Sequence, residues 1–280
     1  MKYYLAGDIG GTNARLAIFD SKLKIVLRKD FSSKAYKNLS EVVKEFLKNI
    51  KHKVSSACFG VPGAVIGGIC KTTNLPWTID CKKMKKEFKF PVFLINDFEA
   101  LCRGINSLKQ KDFIVLRKGS LKGPFAVIGA GTGLGEGFVI DGKEIASEGG
   151  HEDFAPRNKK EIRIFEHLKK KYGHVSYERV LSGSGIKNIQ LALNCSKNNA
   201  LKTFSEIYGA EAGNLALKIK SGTVFLAGGI APHIIPRFKK EFLKAFDNKG
   251  RMKELLKRVT IKIIKNPDVG LIGAANYILK

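Results

Sequence analysis

Apolar positions along the chain follow two different rhythms. Residues 3–7 form a short apolar run that reaches Asp8, the turn Asp8-Ile9-Gly10-Gly11-Thr12-Asn13 follows, and further runs cover 14–20 and 25–28. Three such runs without a helix-length spacer predict a hairpin-rich opening. Leu39, Val42, Val43, Phe46, Leu47 and Ile50 then recur every three or four residues, which predicts an amphipathic helix over 40–50. Strands are predicted over 55–59, running into Val61-Pro62-Gly63, and over 91–95, ending at Asn96-Asp97 with a helix from about Phe98. A second unit opens near Phe125 with a strand over 126–129, a glycine turn over 129–135 and a strand over 137–141. Helices over 160–172 and 201–220, a strand over 224–227, a helix over 237–246, a strand over 259–264 and a helix over 270–279 complete the pattern. In the helix over 201–220, Phe204, Ile207, Tyr208, Glu211, Ala212, Leu215, Ala216 and Ile219 recur at i, i+3, i+4 spacing. Alternating strands and helices place the chain in the α/β class.

Two stretches share one order. Residues 3–20 and 126–141 both run strand, glycine turn with a threonine, strand, with Thr12 and Thr132 in equivalent places. This is read as a degenerate internal duplication. Lys, Gly and Pro cluster over 107–124, where a domain boundary is expected.

Composition narrows the function. At 280 residues, 44% hydrophobic and 27% charged, the chain can bury a large core, so disorder is excluded. No apolar run approaches the roughly 18 residues of a membrane span, and the opening MKYYLAGDIGG lacks a signal-peptide core, so a cytoplasmic protein is expected. Fifty Lys and Arg against 25 Asp and Glu leave a formal charge of +25. Lysine dominates, is scattered evenly and carries few aromatics beside it, so nucleic acid is not the expected partner. The five cysteines show no C-x-x-C and no zinc spacing, which points to reduced thiols.

Three strand-to-glycine turns carry the candidate chemistry: Asp8–Asn13, Gly129–Gly135 and Gly228–Ile230. Glycine lets main-chain N–H groups approach a ligand and form a nest for phosphate oxygens. Thr12 and Thr132 add hydroxyl donors. There is no G-x-x-x-x-G-K-[ST], and Leu134 and Glu136 occupy the last glycine positions of any G-x-G-x-x-G register, so neither a Walker loop nor a Rossmann site is present. The H-R-D and D-F-G signatures of protein kinases are absent too. Asn96-Asp97 stands where a buried strand gives way to a helix, a place where ligands gather in α/β sheets. Taken alone, such an Asp is a helix cap. Glu148 and His151 lie on a glycine-rich stretch; a surface histidine is the plainer reading, and a metal site on His151, Glu152 and Asp153 the weaker alternative. Glu178 alone reads as a surface acid before the turn Ser182–Gly185.

Together these residues resemble the bacterial glucokinase family of the actin–hexokinase ATPase superfamily. The resemblance rests on GDIGGTNARLAIFD (7–20), TTNLPW (72–77), INDFEA (95–100), GAGTGLG (129–135), EGGHEDFAP (148–156), YERVLSGSG (177–185), AGNLAL (212–217), LAGGIAP (226–232) and NPDVGLIGAA (266–275), in that order over almost the whole chain. It implies two ribonuclease-H-like domains with an interdomain cleft that closes on sugar: a small domain over 1–107 joined by the C-terminal helix 268–280, and a large domain over 108–267. It implies that Asp8, Gly10, Gly11, Thr12 and Asn13, with Gly131, Thr132 and Gly133, hold the phosphates of MgATP, and that Gly228 and Gly229 lie by the adenosine. Asn96, Asp97, Glu148, His151 and Glu178 would bind glucose, with Asn74, whose N-L-P-W setting is closer to the related repressor/kinase group, as a further contact.

The expected reaction is phosphorylation of glucose to glucose-6-phosphate, with Asp97 as catalytic base and Asp8 orienting Mg2+, directly or through water. The alternatives are a kinase for another hexose, such as mannose or fructose, and a non-catalytic sugar-binding regulator. Such repressors carry a DNA-binding domain ahead of the glycine motif, and with Asp8 eighth in the chain none is expected here. The zinc motif of that group is absent, so no structural zinc is expected. A homodimer is expected, although the stretch between Gly185 and Phe204 looks shorter than the family's, which bears on dimer contacts rather than on chemistry.

Overall fold

The computed structural model describes residues 2–279. Contacts cluster into two units: the chain up to Leu108 together with the segment from Asp268 onward, and Lys109–Pro267.

The first unit opens on strands β1 (Tyr3–Ile9), β2 (Asn13–Asp20) and β3 (Ile25–Ser32). Helix α1 (Leu39–Leu47) follows; the Asn38 side chain caps it by accepting from Glu41 N–H, and Leu39, Val42, Val43 and Phe46 are buried as the spacing requires. Next come β4 (Val54–Val61), a small sheet of β5 (Val65–Ile66), β6 (Ile69–Lys71) and β7 (Thr78–Asp80), helix α2 (Cys81–Phe88), strand β8 (Val92–Asn96) and helix α3 (Asp97–Ile105). The main sheet has the order β3-β2-β1-β4-β8, and β2 alone runs antiparallel to its neighbours. Along β1 the two-residue period divides the side chains. Leu5 and Ile9 enter a core with Phe59 and α1, whereas Ala6 enters another with Leu271, Ala274 and Ala275 from the last helix of the chain.

The second unit is built from β9 (Phe113–Arg117), β10 (Phe125–Ala130), β11 (Leu134–Ile140), β12 (Lys143–Ser147), α4 (Lys159–Tyr172), α5 (Gly183–Leu193), α6 (Lys197–Lys218), β13 (Thr223–Ala227), α7 (Ala231–Ile234), α8 (Lys239–Asp247), α9 (Lys253–Lys257) and β14 (Thr260–Ile264); α10 (Val269–Leu279) returns to the first unit. Its sheet has the order β12-β11-β10-β13-β14-β9. The first five strands repeat the order and directions of the first sheet, with β11 in the place of β2. The duplication inferred from residues 3–20 and 126–141 therefore extends to five strands in each copy.

Several elements escaped the sequence pattern. β9 lies within the stretch whose Lys, Gly and Pro suggested a boundary, and it is held by pairing with β14, some 150 residues away. α2 reads as a lysine run because Met84 is its one buried residue; the Asp80 cap and Lys89 in the left-handed region (φ 63°) define its ends. β3 runs four residues past the apolar stretch, since an edge strand tolerates the exposed Lys29 and Asp30.

Candidate active site

In the first unit, the candidate residues collect where parallel strands end. Asp8 on β1 is in register with Gly60 on β4, and Val61 with Asn96 on β8. The turn between β1 and β2 is closed by Gly10 N–H donating to the Asn13 carbonyl at 2.9 Å, and Ser33 Oγ anchors it by donating to the Gly10 carbonyl at 2.7 Å. The exposed Asn74 side chain packs on Gly11. The start of α3 lies against β4 because position 60 has no side chain: a Cβ there would stand 3.0 Å from Ala100 Cβ and 3.5 Å from Asp97 Cα. The cap of α3 is Asn96, whose Oδ1 accepts from Phe98 N–H at 2.8 Å and from Glu99 N–H at 3.3 Å. A sugar contact by Asn96 is thereby left to Nδ2, which also donates to the Gly63 carbonyl at 3.3 Å. Asp97 takes the first helical position, and its Oδ1 accepts from Phe98 N–H at 3.0 Å.

Asp8 is not isolated. Arg15 on β2 donates to Asp8 Oδ2 at 2.9 Å, and Asp30, Arg28 and Asp268 extend the chain of charges to the start of α10. Burial raises the Asp8 carboxyl above its usual range, against the opposing pull of Arg15. Sequence reasoning passed over Arg15, although its pairing is the hairpin register: Asp8 and Arg15 are equidistant from the turn.

In the second unit the equivalent turn, between β10 and β11, is closed by Gly131 N–H donating to the Gly133 carbonyl at 2.8 Å. No atom lies within 4 Å of a side chain built at Gly131 or Gly229, so main chain at both turns has room for a ligand. Glu178 reaches this turn: its Oε2 accepts from Leu134 N–H at 3.0 Å. Gly228 (φ +80°) and Gly229 are exposed after β13. Glu148 precedes and His151 ends a single 3-10 turn, Gly149–His151, with His151 Nε2 3.9 Å from Glu148 Oε2; both are more than half exposed. This segment is tied to the one bearing Glu178, because Asp153 bridges to Ser176 and Tyr177 N–H donates to the Glu152 carbonyl at 3.1 Å. No group of three or more His, Cys, Asp or Glu among the described residues is placed to hold a metal ion. The carboxylate present at the first turn suits instead a Mg2+ that keeps most of its ligands as water and phosphate.

Two sheets of one strand order, each with a glycine turn after its first parallel strand, are the arrangement of the actin–hexokinase fold. The family model described as Glucokinase matches residues 5–200 and 190–280. A glucokinase of Trichormus variabilis is 37% identical over 336 residues, covering 98% of each chain. The crystal structure of a glucokinase from an Antarctic psychrotroph superposes with a TM-score of 0.82 at 29% identity, covering 99% of this chain and 98% of that one. A glucokinase from Balamuthia mandrillaris, solved in complex with glucose, shares the fold at a TM-score of 0.80 and 20% identity, over 99% and 93% of the chains. The chain belongs to the glucokinase family. The two matches to the family model overlap at 190–200, inside the stretch that looked shortened, where α5 ends at Leu193, capped by Asn194 (φ 48°), and α6 begins at Lys197.

Proposed function

We propose that this chain phosphorylates glucose at its 6-hydroxyl with MgATP and that Asp97 is the base. Membership of the glucokinase family supports the reaction. The observation that carries the assignment of the base is local: Asp97 stands on the strand-end edge that holds Asp8 and the glycine turn, against Gly60, the β4 residue paired with Asp8. A proton acceptor and a phosphate-holding turn thus share one edge of one sheet. Asp97 takes the proton from the 6-hydroxyl as that oxygen attacks the γ-phosphorus; the bond to the β-γ bridging oxygen breaks and ADP leaves. General-base help of this kind contributes about 10²–10⁴ in rate.

The other roles divide by unit. In the first, main chain at Gly10, Gly11, Thr12 and Asn13 holds phosphate oxygens, and Asn74 and Asn96 orient sugar hydroxyls. In the second, Gly131, Thr132 and Gly133 hold phosphate, Gly228 and Gly229 flank the adenosine, and Glu148, His151 and Glu178 pair with hydroxyls. Carboxylates accept, and the imidazole donates or accepts, so a neutral polyol is matched group by group. Asp8 would orient Mg2+, which would supply neutralisation of the developing phosphate charge.

The test is ADP release with MgATP across a hexose panel of glucose, mannose, fructose and N-acetyl amino sugars. Glucose is expected to give the highest kcat/KM and glucose-6-phosphate as product. A higher value for another hexose reassigns the substrate, and the absence of hexose-dependent ADP release overturns the reading.

A further inference from the structure

Beneath the segment that carries Glu148 and His151 lie two acids with no part in the roles above. Glu136 is on β11, where strand alternation turns its side chain inward; it is fully buried, and neither carboxyl oxygen has a hydrogen-bond partner among the described residues. Glu211, in the apolar row of α6, is fully buried too. Its Oε2 accepts from Asn214 Nδ2 at 2.8 Å, while Oε1 has no partner. Gly149 rests directly on the first of these acids: a Cβ at position 149 would collide with Glu136 Oε2. The 3-10 turn between Glu148 and His151 is therefore seated on a carboxyl group.

The Glu211 charge acts on Glu136 in an interior that leaves the Glu136 carboxyl without a hydrogen-bond partner among the described residues, so an ionised Glu136 is disfavoured there. One retained proton on Glu136 resolves this, since a neutral carboxyl is tolerated in such an interior and carries a donor of its own. Other groups close in from each packed element. On α6, Lys218 lowers the Glu136 value while bonded to Glu152 at 2.7 Å, and Tyr208, which donates to the Ile128 carbonyl at 2.9 Å, feels the Glu136 charge. Tyr177 faces Glu211 from the segment before Glu178, and Lys249 faces it from beyond α8. Glu152 adds a third acid from the seated segment.

We propose that Glu136 and Glu211 are positioning residues for sugar binding: the pair holds one proton, and that proton keeps Gly149 seated and Glu148 and His151 in place. This rests on the assignment of Glu148 and His151 to sugar made above. Burial, reinforced by the Glu211 charge, pushes Glu136 up to about 8, and burial raises Glu211 against the lowering contacts of Asn214 and Tyr177. A group raised in the folded state keeps its proton below that value and loses it above. The segment is thus seated at pH 7 and released at pH 9. With only the protonated form competent, the glucose KM rises about tenfold between those two pH values.

The experiment measures glucose KM, MgATP KM and amide hydrogen exchange of residues 147–152 from pH 6 to 9 in the wild type, Glu136→Gln and Glu211→Gln. The wild type is expected to lose protection at His151 and Glu152, whose amides donate to the Glu148 and Gly149 carbonyls at 2.9 Å, together with the rise in glucose KM. MgATP KM is not expected to follow. Glu136→Gln, neutral throughout and still able to donate, holds both readouts flat. Glu211→Gln removes the neighbouring charge and moves the rise to lower pH, a shift that a merely structural role would not produce. A wild-type-like pH profile in both variants overturns the proposal. Protection lost on schedule while glucose KM stays flat in the wild type overturns instead the assignment of the segment to sugar.

Discussion

The role proposed for Asp97 depends on its position on the backbone. Its neighbour Asn96 takes the capping duty, and the Phe98 amide holds Asp97 Oδ1 at 3.0 Å, so the carboxylate is oriented at the helix N-terminus, where negative charge is favoured. Asparagine at this position keeps the volume and loses the proton acceptor. Asp97→Asn is expected to lower kcat by about 10²–10⁴ while the glucose Kd stays within a few-fold. Rapid-quench rates and calorimetric titration measure the two separately; wild-type turnover would remove Asp97 as the base. Asp8 has a different constraint, since Arg15 already donates to one of its oxygens and leaves the other for the role proposed above.

Among the elements, α10 is the one that closes the first unit, packing on α3 across the sheet face that carries Ala6, Cys58 and Ile95. The approach is close because both helices present glycine at the crossing: a Cβ at Gly273 would overlap the Ala100 carbonyl, and one at Gly104 the Val269 carbonyl. Asp97 heads one of these helices, so the pair supports the site. Gly273→Ala is expected to destabilise the protein by about 1–3 kcal/mol through overpacking, read as a lower urea midpoint, and to reduce kcat as the start of α3 shifts. An unchanged midpoint would mean that the two helices separate at little cost. Gly273 lies inside the helix predicted over 270–279, but its use as a crossing with Gly104 was not legible, because it joins positions about 170 residues apart.

For the molecule as a whole, the charge of +25 is the property that local structure leaves unused. A field of that size speeds encounter with an anionic substrate and is screened beyond a Debye length, about 8 Å at physiological ionic strength. Added NaCl is therefore expected to lower kcat/KM for MgATP severalfold while leaving kcat and the glucose kcat/KM in place; equal losses for both substrates would point to a salt effect on the fold. Much of this protein could be read before any coordinates: the glycine turns, the Asn96-Asp97 strand end, the amphipathic α1 and the repeated hairpin are all written in neighbouring residues, and turns, caps and periodicity are short-range effects. Even Glu211 was visible as an acid in an apolar row. The burial of Glu136 and Glu211, the seating of Gly149 and the addition of β9 to the edge of β14 were not legible, because each depends on groups from distant segments meeting in a space that the packed chain alone creates.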